Sequence, residues 1–98
     1  MTFFLTYHPL VARDVAGFNR DIRQRLAKAI QERLSSHPES YGKPLRGDLA
    51  GYWTLRVGDY RVVYRVVKHE VWIFAVINRR DVYSEVMNRL SWSAVAEA

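Results

Sequence analysis

The apolar positions of this chain change period twice along its length. Thr2–Tyr7 is short and rich in aromatic and β-branched residues, which predicts a strand ended by His8-Pro9. From Leu10 to Leu34 the apolar residues return at helical intervals, at Leu10, Val15, Phe18, Ile22, Leu26, Ala29, Ile30 and Leu34. The opposite side of that helix carries Arg13, Arg20, Arg23, Arg25, Gln31 and Glu32. Gly17 and Asn19 interrupt the pattern near its midpoint, so two packed helices are expected, the second capped by Asn19. Residues 37–51 are rich in Pro and Gly and read as a connector. Three strand signals follow at Tyr52–Val57, Tyr60–Val67 and Val71–Ile77, separated by Gly58-Asp59 and Lys68-His69-Glu70. From Arg80 the period becomes helical again through Val82, Val86 and Leu90. The order β-α-α-β-β-β-α predicts one α+β domain over residues 1–98, an antiparallel sheet with helices packed on one face.

The first hairpin can be registered from its loop. Gly58-Asp59 is a two-residue connection in which Gly supplies the positive φ. Val57 then pairs with Tyr60, Arg56 with Arg61, Leu55 with Val62, Thr54 with Val63, Trp53 with Tyr64 and Tyr52 with Arg65. Alternation puts Trp53, Leu55, Val57, Tyr60, Val62 and Tyr64 on the core face. It puts Tyr52, Thr54, Arg56, Arg61, Val63 and Arg65 on the other, expected to be wet. Arg56 and Arg61 are directly opposed there, a repulsion that a bound anion would relieve.

Charge gives that face a meaning. The chain has a net charge of +5, and twelve of its fifteen cations are Arg. Arg presents a planar fork that matches phosphate and stacks on bases, so the surplus points to nucleic acid. A wet sheet face with charges for solubility is the bland alternative; opposed arginines beside an aromatic ring favour a phosphate-binding surface for single-stranded nucleic acid. A second basic cluster, Asn78-Arg79-Arg80-Asp81-Val82-Tyr83, runs from the last strand into the last helix. The absence of Cys excludes disulfides, thiolate metal sites and a Cys nucleophile. His8, His37 and His69 have no metal-like spacing, so no metal or other cofactor is expected. The charge-free run Val71–Asn78 is far too short to span a membrane, and a cytoplasmic protein without membrane contact is expected.

These residues also carry a resemblance. Lys43-Pro44-Leu45-Arg46-Gly47, then Leu55-Arg56-Val57-Gly58-Asp59-Tyr60-Arg61, then Arg79-Arg80-Asp81-Val82-Tyr83 together resemble the signature of the RelE/ParE toxin superfamily. The resemblance implies a toxin of a two-gene toxin–antitoxin module, neutralised by an acidic antitoxin that often binds DNA. Its RelE-like branch implies a metal-independent endoribonuclease that cuts mRNA in the ribosomal A site by attack of a ribose 2′-OH on the adjacent phosphate. On that reading Arg61 and Arg79 supply charge to the phosphate and Tyr83 orients a base beside the cut. Arg56, Arg65, Tyr52, Arg80, Lys43 and Arg46 hold the flanking RNA. The chain has Tyr52 and Thr54 where the well-known nucleases of this branch carry lysines. Two other implications therefore stay open: a ParE-like toxin that inhibits DNA gyrase, and a weakly active member that mainly binds its antitoxin.

Overall fold

A computed structural model describes residues 2–89, apart from the side chains of Tyr83 and Asn88. Leu90, the last apolar position of the expected final helix, lies outside the described residues. The elements are β1 (Phe4–Tyr7), α1 (Val11–Val15), α2 (Arg20–Ala29), α3 (Pro38–Tyr41), β2 (Lys43–Pro44), β3 (Trp53–Val57), β4 (Tyr60–Val67), β5 (Glu70–Asn78) and α4 (Val82–Asn88). This is the expected α+β order, with a one-turn helix and a two-residue strand added inside the connector. The two helices separate where Asn19 caps α2, its side-chain oxygen accepting from the Ile22 N–H at 2.9 Å. α2 runs on into a wider turn at Ile30–Leu34. There Ser35 donates to the Gln31 carbonyl and Ser36 to the Glu32 carbonyl, and the helix ends.

The five strands lie in the order β1-β5-β4-β3-β2. The β3–β4 register is the expected one from Trp53↔Tyr64 to Val57↔Tyr60, and Gly58 turns with φ +60°. β1 runs parallel to β5, so the sheet is mixed. Tight turns force β3, β4 and β5 to alternate in direction, whereas β1 reaches β5 only through the helices and carries no such constraint. Both faces of the sheet are covered. On one side Leu26, Ile30 and Leu34 pack on Leu55, Val62, Tyr64, Val71, Ile73 and Val76. On the other, Leu49 and α4 residues Val82 and Val86 pack on Tyr52, Val63, Trp72, Phe74, Ala75 and Ile77. A bulge in β5 leaves Phe74 between the pairs Tyr64↔Ile73 and Val63↔Ala75, so Phe74 and Ala75 both serve this second core.

The edge of β5 needs a substitute for a strand. β1 stops at Tyr7, and the His8 N–H makes the last main-chain contact, to the Ile73 carbonyl at 2.8 Å. Beyond it, Arg89 Nη1 donates to the Phe74 carbonyl at 2.9 Å and Asp14 Oδ2 accepts from the Val76 N–H at 3.0 Å. Asp14 and Arg89 also form a two-pronged pair at 2.7 and 2.8 Å, with Glu85 3.3 Å from Arg89 Nη2. Arg89 is only 6% exposed. The pair joins α1, β5 and the end of α4, and its hydrogen bonds hold the guanidinium pKa above its ordinary value. His8 stacks near Phe74 in the same region, where burial and then the Arg89 charge lower its pKa.

At the opposite edge, the buried Tyr64 hydroxyl donates to the Pro38 carbonyl and fixes α3. Gly42 lies against that hydroxyl. A Cβ there would collide with Tyr64 Oη and stand 3.0 Å from the Thr54 carbonyl oxygen. This close approach seats β2 beside β3, with Lys43 opposite Thr54 and Pro44 opposite Trp53. Among the described residues no helix is long and apolar enough to cross a membrane.

Three outcomes test this architecture. Asp14→Asn removes the nearer, two-pronged counter-ion of the buried Arg89, leaving only the longer contact to Glu85, and lowers unfolding free energy by roughly 3 kcal/mol in urea titrations. Replacing both partners by apolar residues does not restore stability, because the Phe74 carbonyl and Val76 N–H lose their partners. Gly42→Ala overpacks the Tyr64 contact and costs about 1–3 kcal/mol in the same assay. Burial, and then the Glu39 charge, raise the Tyr64 pKa above the ordinary phenol value. The folded state therefore resists the phenolate. The stabilisation is complete below about pH 10, the unfolded phenol's value, and is lost as pH rises beyond it. The urea midpoint falls above about pH 10, and Tyr64→Phe flattens that fall.

Candidate functional site

The face expected to be wet is divided. Its central part is buried: Tyr52 is 7% exposed, its ring edge-on to Phe74 at a centroid distance of 5.0 Å, and Val63 is fully enclosed. The expectation that Tyr52 offers an open ring for RNA is corrected by this packing. Alternation assigns a residue to a face but does not say what covers the face, and α4 with Leu49 covers this part of it.

The hairpin end of the same face stays open. A shallow cavity of about 180 Å³ lies there, lined by Tyr41, Lys43, Thr54, Arg56 and Arg61. Four elements build it, with α3 contributing Tyr41. β3 and β4 oppose Arg56 to Arg61, and β2 sets Lys43 opposite Thr54. Arg61 folds back on the turn, its Nη1 donating to the Tyr60 carbonyl at 3.1 Å and the Gly58 carbonyl at 3.4 Å. Arg56 and Lys43 are exposed. None of these three cations has a carboxylate partner among the described residues, so no described carboxylate offsets their repulsion. Such a corner attracts an anion with several oxygens to bond.

Of the remaining expected residues, none whose side chain is described lines the cavity. Arg79 and Arg80 are exposed on the turn Arg79–Asp81 that follows β5. The Asn78 side chain accepts from the Arg80 N–H at 3.1 Å, and the Arg79 N–H donates to the Asp59 carbonyl at 3.2 Å. That last bond ties the second basic cluster to the hairpin loop. Arg46 is exposed before the turn Gly47–Leu49, and Arg65 is half-buried farther along β4. Tyr83 falls in the first turn of α4, and its side chain is outside the described residues.

Sequence reasoning missed two features. Tyr41 is 53% exposed, with the Arg33 guanidinium 5.8 Å from its ring centroid. A second basic cavity, of about 490 Å³, is lined by Arg25, Lys28, Glu32 and Arg33 of the α2 segment together with Arg56. The available signal was the helical spacing of Arg25, Lys28 and Glu32, which puts them on one side of the helix. Among the described residues no group of three or more His, Asp or Glu is placed to hold a metal ion. The side chains that line the corner supply guanidinium, ammonium, hydroxyl and aromatic groups.

Comparison with known proteins converges on one family. Residues 5–83 match the family model of the ParE toxin of type II toxin–antitoxin systems. The chain is 35% identical over 83 residues to Toxin RelE of Mycobacterium tuberculosis, covering 79% of this chain and 86% of that protein. It is 36% identical over 84 residues to Toxin RelG of the same organism, covering 76% and 97%. Its fold is similar to a chain of the M. tuberculosis toxin–antitoxin complex RelBE2, with a TM-score of 0.75, 30% identity and coverage of 81% and 100%. With residues 5–83 matched by the family model and most of its length matched by these relatives, the chain belongs to the RelE/ParE toxin superfamily of type II toxin–antitoxin systems, with the RelE-like branch favoured.

Proposed function

We propose that this toxin is a ribosome-dependent mRNA interferase, cutting mRNA in the ribosomal A site without a metal. The observation that carries the reading is the cluster of Lys43, Arg56 and Arg61 around one cavity, with no carboxylate of the described residues to neutralise them. Cleavage by a ribose 2′-OH forms a new oxygen–phosphorus bond and breaks the bond to the 5′-oxygen of the next nucleotide. The 2′-OH proton must leave and the 5′-oxygen must gain one. The demand on the protein is orientation of the attack and stabilisation of the extra charge on the phosphorane oxygens. Arg61 is half-buried and held by the turn carbonyls, so it meets that charge with little reorganisation. Arg56 and Lys43 hold the adjoining phosphates. Arg79 approaches from the turn tied to Asp59, Arg80 and Arg46 extend the basic surface, and Tyr83 orients a base. The ribosome supplies the mRNA in an extended form. An acidic antitoxin segment fits the same corner, where its carboxylates offset the Arg56–Arg61 repulsion.

Inhibition of DNA gyrase is the second reading, favoured by one feature. Thr54 stands at the cavity where the nucleases' resemblance calls for Lys, and Tyr52 is buried. Translation with purified ribosomes followed by mapping of mRNA 5′ ends separates the two. A-site cuts are expected from the wild type. Arg61→Ala lowers the cleavage rate by about 10²-fold, with thermal unfolding shifted only slightly. Absence of cuts together with inhibition of supercoiling by gyrase would replace the interferase reading.

A further inference from the structure

The proposed RNA corner holds cations for phosphate, and the ring that the sequence offered for a base, Tyr52, is buried. We infer that Tyr41 is the stacking platform of this site: a nucleobase of the bound RNA lies on its ring while Lys43, Arg56 and Arg61 hold the neighbouring phosphate. The inference rests on the RNA reading of the corner and adds Tyr41 to the residues proposed to hold RNA.

Four observations carry it. Tyr41 is in the wall of the Lys43–Thr54–Arg56–Arg61 cavity, so a base on the ring is next to a phosphate among the cations. The ring is 53% exposed, whereas Tyr64 is enclosed and Tyr60 is half-buried against Phe18 at 4.4 Å. The Arg33 guanidinium is 5.8 Å from the Tyr41 centroid and the His37 ring meets it edge-on at 6.3 Å. Both support the ring while leaving half of it open. Finally, the platform is fixed by the core. The Tyr41 N–H donates to the His37 carbonyl at 3.2 Å, Tyr64 anchors the first residue of α3, and Gly42, next after Tyr41, lies against the Tyr64 hydroxyl. A ring positioned before the ligand arrives loses little freedom on stacking. Arg33, the cation over the Tyr41 ring, lines the second basic cavity, and Arg56 lines both cavities, so basic groups lie to either side of the ring. Base on ring and phosphates on either side is how single strands are held.

The experiment uses the full chain and a short single-stranded RNA of mixed sequence, scanned with one abasic ribose at each position. In the wild type one abasic position weakens binding by about ten-fold, and 2-aminopurine placed at that position is quenched. In Tyr41→Leu the intact RNA binds about as weakly as the abasic RNA binds wild type, removing the base has no further effect, and the quenching is lost. Tyr41→Phe and Tyr41→Trp keep both signals. Full sensitivity to the abasic position in Tyr41→Leu overturns the inference. So does unchanged RNA binding with weakened binding of an acidic antitoxin, which would assign the ring to a protein contact. If the wild type binds the intact RNA but no single base matters, the phosphate reading of the corner survives and the stacking inference alone fails. No RNA binding by the wild type overturns both.

Discussion

The buried pair of Asp14 and Arg89 closes an open sheet edge. β1 covers only half of β5, and a strand with apolar residues on both faces cannot leave its main-chain groups dry and unpaired. Asp14 takes the Val76 N–H and Arg89 takes the Phe74 carbonyl, so two side chains perform the work of the missing strand. Each charge also neutralises the other, which is the condition for burying either. Because Asp14 belongs to α1 and Arg89 follows α4, the pair holds layers on opposite faces of the sheet together. The second core depends on it, since α4 contributes Val82 and Val86 there and is only two turns long.

That second core determines where binding can occur. Once α4 and Leu49 cover Tyr52, Val63, Phe74 and Ile77, the open end of the hairpin face presents Arg56 and Arg61, near the Gly58-Asp59 turn. The pairing of β3 with β4 gives Arg56 and Arg61 no choice of register, and β2 adds Lys43 from the third side. The resulting like charges are kept together by main-chain hydrogen bonding, which is far stronger collectively than their mutual repulsion in a solvated corner.

The hairpin was legible because its loop fixes its register: Gly58-Asp59 alone assigns every pair from Trp53 to Tyr64. The Asn19 cap was legible for a similar local reason. Coverage of the second face was less so. Arg56, Arg61 and Arg65 share their alternation with Tyr52 and Val63, and the polar members suggested a wet surface throughout. The opposing signal was in β5, whose unbroken apolar run Val71–Ile77 is what a strand buried on both sides looks like. The direction of β1 left no mark in its composition, since parallel and antiparallel strands share one alternation. Gly42 and Tyr41 were passed over because their importance lies in the approach of Tyr64, twenty-two residues beyond Gly42. The arginines were legible by type, but Lys43 joined them through β2, a strand too short to produce a periodic pattern.

β2 has one more effect. It forms an outer boundary of the sheet with two residues, Lys43 and Pro44. The Leu45 N–H turns inward to the Tyr52 carbonyl, so by alternation the N–H that Pro44 lacks falls on the outward side. A strand approaching this boundary meets an ammonium group and a missing donor. Copies of the chain are thereby kept from stitching their sheets together at the side where the basic corner lies.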